Sequence, residues 1–216
     1  AITPDVFDKT PFLLNCLNGA IHLPTGTLLP HTREHYITKL VPIVYDPDAA
    51  CPQWEYFLDT IFAGNQELID WLQKALGYTL TGNIQEQVFF LCHGVGSNGK
   101  STFLQQLSLL SGEYGTTTPF QTFMPVRSET IRNDLAALRG CRFVSAIEST
   151  LGGRLSENVL KSVTGGEEIT ARFLHGEFFS FYPEFKVWLA SNHRPVIKDT
   201  SHAMWRRVCL IPFSVV

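Results

Sequence analysis

The sequence predicts an α/β fold with a mostly parallel sheet, preceded by a small mixed α/β or helical domain. Three observations carry this. The apolar run "VFFLCH" meets a glycine-rich turn that ends in Lys100-Ser101 and opens into an amphipathic segment. Further on, short apolar runs alternate with segments of helical spacing, the pattern of strands joined by crossover helices. Residues 1 to about 50 differ: they are rich in Pro, Gly, Asn and Thr, with short alternating runs.

Taken in order, "LPTGTL" reads as a turn between two short strands, because Pro and Gly supply the turn conformations. "WEYFLDTIFAGNQELIDWLQKAL" (54–76) carries apolar residues at helical spacing, and Gly64-Asn65 divides it into two helices. Gly77 and Gly82 punctuate the approach to the first core strand, which places a division between an N-terminal domain, 1–83, and a core, 84–216. A helix is expected at about 100–110, a short one near 129–138, a strand at 142–148 and a helix at 156–164. A long hairpin then runs through "EITARFLHGEFFSFYPEF" (168–185), with Gly176 at its tight turn and Phe178, Phe179 and Phe181 as its packed residues. Strands at 186–191 and 207–213 complete the pattern.

Composition sets the outer limits. A chain with 44% hydrophobic and 17% charged residues has the make-up of an ordinary globular domain. No apolar run approaches the length of a membrane span, and "AITPDVFDKT" has neither the basic region nor the apolar core of a signal peptide. The missing initiator Met and the strand-like last residues suggest a fragment. Five scattered cysteines without a CxxC pair argue against a disulfide framework or zinc site and fit a reducing compartment. A net charge of −3 gives no general attraction to nucleic acid, so such binding needs a local patch or several subunits pooling cations.

Gly94-Val95-Gly96-Ser97-Asn98-Gly99-Lys100-Ser101 matches G-x-x-x-x-G-K-[ST] in full. Glycines let backbone N–H groups turn inward around phosphates, and the helix that follows aims its positive end at them. Lys100 would reach the β- and γ-phosphates, and the Ser101 hydroxyl would ligate Mg²⁺. The nucleotide-binding set is therefore Gly94, Gly96, Ser97, Asn98, Gly99, Lys100, Ser101 and Thr102. Glu148 closes a buried strand, where open sheets place catalytic groups, and could serve the Mg²⁺ shell or orient the attacking water. Asn192 ends another strand, where an amide can bond both the γ-phosphate and a water. Arg206 and Arg207 precede the last strand, and a guanidinium on a transferring phosphoryl group is worth about 10³–10⁵ in rate. "HTREH" (31–35) formally matches a zinc-protease pattern, but Pro30 before it, a strand-like run after it and no third ligand argue against metal.

This ordered set resembles the superfamily 3 helicases, in particular the phage and plasmid primase-helicases and their poxvirus-like group. "GVGSNGKST", "FVSAIES", "LKSVTGGEEITARFLHGEFFSFYPEFKVWLASNHRP" and "WRRVCLIPF" carry the resemblance. "LLNCLNGAIHLPTGTLLPH", "YDPDAACPQWEYFL" and "LQKALGYTLTG" extend it upstream. It implies an AAA+-type ATPase that uses ATP and Mg²⁺, assembles as a ring, usually a hexamer, and unwinds single-stranded or forked DNA. A primase domain on the same or another chain is a further implied partner. The bacterial cytoplasm is the implied location if a phage or plasmid encodes the chain. By position, Lys100 and Ser101 match the phosphate-loop pair, Glu148 the acid, Asn192 the polar sensor, and Arg207, with Arg206 second, the arginine finger given to a neighbour's ATP. Many relatives carry two adjacent acids where Ser149 follows Glu148 here. Arg172, Phe173 and His175 are the expected DNA contacts at the hairpin tip. An ATP-gated DNA-binding or assembly module, with weak or no unwinding, is the alternative.

Overall fold

A computed structural model describes residues 3, 6–126, 132–148 and 153–215. Its centre is a five-stranded sheet made of β4 (Phe89–His93), β5 (Gly115–Thr117), β6 (Phe143–Ile147), β9 (Lys186–Ser191) and β10 (Val208–Pro212). Spatial order is β10-β4-β9-β6-β5, and every pairing is parallel. The expected parallel α/β core is therefore present. β4 lies where the chain's path across the sheet reverses, and ligands of open sheets bind beyond the carboxyl ends at such a point.

Two apolar layers sandwich the sheet. On one face Leu160 and Val163 of α5 (Glu157–Gly165) and Leu135 of α4 (Asn133–Ala136) pack with Phe89, Val144 and Leu189. On the other, α3 (Lys100–Ser111) supplies Phe103, Leu104 and Leu107 against Phe90, Phe143, Trp188 and Ile211. That second layer also takes Leu58 and Ile61 of α1 (Pro52–Ile61) and Leu72 and Ala75 of α2 (Gln66–Leu80). Trp188 stacks on Phe90 with ring centres 4.0 Å apart, and its indole N–H donates to Thr79 Oγ1 at 3.1 Å. The helical pair is thus part of the core, and the packing has no break at residue 83. Gly64 (φ 69°) and Ala63 (φ 51°) end α1, and the Asn65 side chain caps α2 by accepting from Leu68 N at 3.1 Å.

Residues 13–29 form an antiparallel meander, β1 (Leu13–Cys16), β2 (Gly19–His22) and β3 (Thr27–Leu29), with the turn at the expected "LPTGTL". Two buried cations tie the end of α2 to the amino ends of the core strands, and one of them, Arg142, also reaches the first fifty residues. Arg142 donates to Leu80 O at 2.9 Å and Thr10 O at 3.0 Å. Lys186 donates to Thr81 O, to Asn83 O at 3.1 Å and to Glu184 O at 3.2 Å, with its ammonium over the Tyr78 ring. Carbonyls left over at the end of α2 are thereby satisfied, which a helix C-terminus otherwise lacks.

The hairpin departs from expectation. Only β7 (Ile169–Ala171) and β8 (Phe179–Phe181) pair, leaving residues 172–178 as a loop. Its left-handed residue is His175 (φ 63°), not Gly176, whose N–H instead closes a turn onto Phe173 O at 2.9 Å. Phe181 is buried as expected, but Phe178 is exposed, because it lies beyond the last paired residue. The short helix expected near 129–138 is described only as α4, since residues 127–131 lie outside the described set.

Candidate nucleotide-binding site

The phosphate loop joins the carboxyl end of β4 to α3. Gly96 (φ 105°), Ser97 (φ 50°) and Gly99 (φ 86°) all take left-handed backbone, the alternation that turns successive N–H groups toward one point. At Gly94 the need for glycine is steric: a Cβ would lie 2.1 Å from Phe213 O and 2.2 Å from Asn98 Nδ2. Asn98 is buried and pins the loop to the sheet by donating to Phe213 O at 2.7 Å. No side chain caps α3, and Phe103 N is its first amide bonded within the turn, to Gly99 O at 2.8 Å. Among the described residues the amides of Lys100, Ser101 and Thr102 have no backbone partner and face the anion position at the helix start.

Lys100 Nζ donates to Gly94 O and to Asn98 Oδ1, each at 2.7 Å. Both acceptors belong to the loop, so the ammonium can exchange them for phosphate oxygens without unfolding anything. Burial holds its pKa below the ordinary lysine value. Ser101 and Thr102 are exposed at the helix start. Half-buried His93, at the end of β4, is also held below its usual pKa, by burial first and then by Arg194, Lys100 and His193. Four cationic or ionisable groups thus share this end of the sheet, three of them unforeseen from sequence.

Glu148 follows β6 immediately, and its N–H donates to Ala190 O of β9 at 2.8 Å. One carboxylate oxygen accepts from Gly153 N at 2.9 Å and the other from the Ser191 hydroxyl. Ser191 is paired with His93 across the β4–β9 ladder, so the ends of β4, β9 and β6 form one continuous edge. Asn192 is exposed at that edge, and its amide nitrogen lies 3.9 Å from where a Cβ on Gly96 would sit. The expected lysine, serine, acid and amide are therefore gathered on the carboxyl side of one sheet. Ser149 lies outside the described residues.

The arginines lie at the opposite end. Val208 pairs with Phe89, the first residue of β4, so Arg206 and Arg207 sit beside the strand's amino end. Five strand residues separate that end from the phosphate loop, roughly 16 Å. Arg207 is buried and bonded within its own chain, donating to Thr164 Oγ1 at 3.1 Å and to Ala203 O. Arg206 is exposed and donates to Gln87 Oε1. The preference for Arg207 as the group offered outward meets a packing reason against it: the end of α5 holds its guanidinium.

The chain's similarities agree with this geometry. A model described as "D5 N terminal like" matches residues 1–63, and that of a family of unknown function, DUF5906, matches residues 92–207, more than half of the chain. The chain belongs to this second family. Together with the D5-type match and its relatives, it is of the D5-like primase-helicase, superfamily 3 helicase type. A protein of Acanthamoeba polyphaga mimivirus described as a candidate helicase (L207/L206) is 27% identical over 212 residues, covering 95% of this chain and 22% of the relative. A candidate primase of African swine fever virus (C962R) is 25% identical over 209 residues, with 93% and 22% covered. The chain thus spans about a fifth of the length of these relatives. Among solved structures, the apo C-terminal region of NrS-1 superposes with a TM-score of 0.56 at 14% identity, over 78% of this chain and 39% of that one. A JCV helicase complex gives 0.50 at 16% identity, over 78% and 47%. These establish the P-loop NTPase fold.

In this D5-like chain the hairpin loop carries the other expected contacts. Phe173, Leu174, His175 and Phe178 are exposed, and Leu174 N donates to Asn133 Oδ1 at 3.1 Å. The Arg172 guanidinium covers the Phe178 ring at 4.6 Å, and its buried Nε has no partner among the described residues. At 31–35, Arg33–His35 is a single 3-10 turn and His31 donates to Cys16 O at 2.9 Å. Among the described residues no group of three metal-ligating side chains forms and no helix is long and apolar enough to cross a membrane.

Proposed function

We propose that this chain is the motor of a replicative DNA helicase of viral, phage or plasmid type, hydrolysing ATP at the interfaces of a homo-oligomeric ring, a hexamer by resemblance. One observation carries the reading. The phosphate loop and the exposed Arg206 occupy opposite ends of one parallel sheet, so a pocket containing both must draw them from two copies. Arg206 is assigned the outward role and Arg207 the structural one, because only Arg206 is exposed.

Within a pocket, the free amides of α3 and Lys100 bind the triphosphate. Ser101 and Glu148 are the residues that would hold Mg²⁺, which supplies charge neutralisation on the phosphates. Glu148 keeps lone pairs beyond those used by Gly153 and Ser191, so it can also orient a water. Asn192, beside Gly96, reports on the γ-phosphate position. Four residues link β8 to β9, and Asn192 directly follows β9, so a shift at the sensor is passed to the hairpin loop. There Arg172 would meet a phosphate, while Phe173 and the left-handed His175 would press on sugar or base, contacts tolerant of sequence. Several copies converging on one strand would overcome the net charge of −3.

The test is ATP turnover by the full chain with and without single-stranded DNA, beside duplex unwinding. DNA-stimulated turnover that disappears in Lys100→Ala supports the motor. ATP binding with turnover unresponsive to DNA would favour the assembly module.

A further inference from the structure

Away from the nucleotide site, a cleft of about 450 Å³ opens where the N-terminal stretch meets the base of the hairpin. The N-terminal stretch gives it Lys9 and Lys39, and the core gives it Arg139, Tyr182 and Glu184. We propose that this cleft is a second binding site for single-stranded DNA, beside the hairpin loop and shared between the N-terminal stretch and the core. It goes beyond the motor reading, which assigns DNA to the loop alone, and rests on that reading only for the loop's own contact.

Local structure gathers the cations. Asp8 takes left-handed backbone (φ 57°) and accepts from Thr38 N at 2.8 Å and from Thr38 Oγ1 at 2.5 Å. Lys9 and Lys39 follow these two residues and are thereby held at the same opening. Lys39 also lies against the core: a Cβ on Gly140 would be 3.3 Å from its Nζ. Arg139 precedes that glycine, so cations from two distant parts of the chain converge. Among the described residues Lys9 and Arg139, both exposed, enter no ion pair, and Lys39 donates only to Glu113 O at 3.3 Å. Of the two lining carboxylates, Asp8 is engaged by Thr38, and Glu184 has the charges of Arg142, Lys9 and Lys186 acting on it. The cleft therefore keeps a net positive charge toward a polyanion.

Aromatic rings select nucleic acid over an acidic peptide. Tyr182 is 65% exposed at the cleft and Phe7 is 38% exposed, surfaces on which bases can stack. Direct contacts connect them to the hairpin loop. The Phe173 ring lies 5.6 Å from that of Phe179, and the Arg139 guanidinium covers the Phe179 ring at 5.2 Å. A strand held at Phe173 is thus led by ring and cation toward the cleft. Cations for the backbone and rings for the bases are what a sequence-tolerant strand groove requires.

The test measures equilibrium binding of a labelled single-stranded oligothymidylate to the full chain, without nucleotide, over a range of salt. The double variant Lys9→Gln with Arg139→Gln should lose roughly tenfold in affinity. Its slope of log affinity against log salt should fall by about 1.4, the value for two phosphate contacts on a single strand. Lys9→Arg with Arg139→Lys should retain both affinity and slope. Tyr182→Ala should weaken binding about five- to a hundredfold with the slope unchanged. All three positions are exposed, so denaturation midpoints should stay at the wild-type value. Unlabelled oligoglutamate of matching charge should compete poorly. Wild-type affinity and slope in the double glutamine variant, or displacement by oligoglutamate as effective as by oligothymidylate, overturns the cleft while leaving the hairpin and motor readings standing. Binding that needs Lys9 and Arg139 yet is unchanged in Phe173→Ala would instead refute the hairpin contact and support the cleft.

Discussion

The two ends of the central sheet are both rich in cations, yet they are built for opposite purposes. At the amino end, Arg142, Lys186 and Arg207 are buried and donate to fixed acceptors: the carbonyls of Thr10, Leu80, Asn83 and Ala203 and the Thr164 hydroxyl. At the carboxyl end, Lys100 donates only within its own loop, and the neighbouring amides of Ser101 and Thr102 have no partner in the helix. What separates a structural cation from a functional one here is whether its partners can be given up. Removing an amino-end cation strands buried carbonyls; removing Lys100 strands the ligand.

Lys100→Ala should show the largest effect, lowering ATP turnover by about 10²–10³, the loss of one preorganised donor, while moving stability by no more than about 1 kcal/mol. Lys186→Met should do the reverse. It leaves the carbonyls of Thr81, Asn83 and Glu184 unpaired in a dry site, so chemical denaturation should show a loss of about 3 kcal/mol. If Lys186→Met and Lys100→Ala destabilise equally, the contrast between the two ends is wrong. Ser191→Ala removes one donor from Glu148 without touching the phosphate loop, and turnover should change about tenfold with nucleotide affinity unaltered.

The smallest effect is in acid. At Glu157, partial burial pushes the carboxyl up, but its own amide, those of Lys198 and Asp199, and Arg154 outweigh it and hold the pKa below the usual carboxylate value. Lys161 and Ser201 hold Asp199 well below it too. Both pKa values are lower folded than unfolded, so their contribution is fully present above the unfolded carboxylate range, begins to fall below it and is lost as pH falls through the lower folded values. Denaturation midpoints should therefore decline below about pH 4.5. Glu157→Gln should flatten that decline.

This division explains what could be read from sequence. The phosphate loop is contiguous, so its function is legible in eight letters, and Glu148 and Asn192 are legible because each ends an apolar strand. Ser191, His93 and Arg194 join the site only through the register of β4, β9 and β6, which no local pattern contains. Arg206 and Arg207 are adjacent and alike in sequence; the packing of α5 against one of them decides which is free. Gly176 invited a turn assignment, yet His175 takes the left-handed backbone, since a seven-residue loop does not need the tight two-residue turn. The helical pair α1–α2 carries an ordinary amphipathic pattern, and nothing in that pattern says which sheet it covers.

The central claim is that each ATP pocket combines Lys100 of one copy with Arg206 of another. It is tested by mixing two inactive variants, Lys100→Ala and Arg206→Ala, after confirming by sedimentation that each assembles like the wild type. The account predicts partial recovery of ATP turnover in the mixture, because some interfaces regain both groups. Turnover that stays at the level of the separate variants at every mixing ratio, despite mixed assembly, would contradict it.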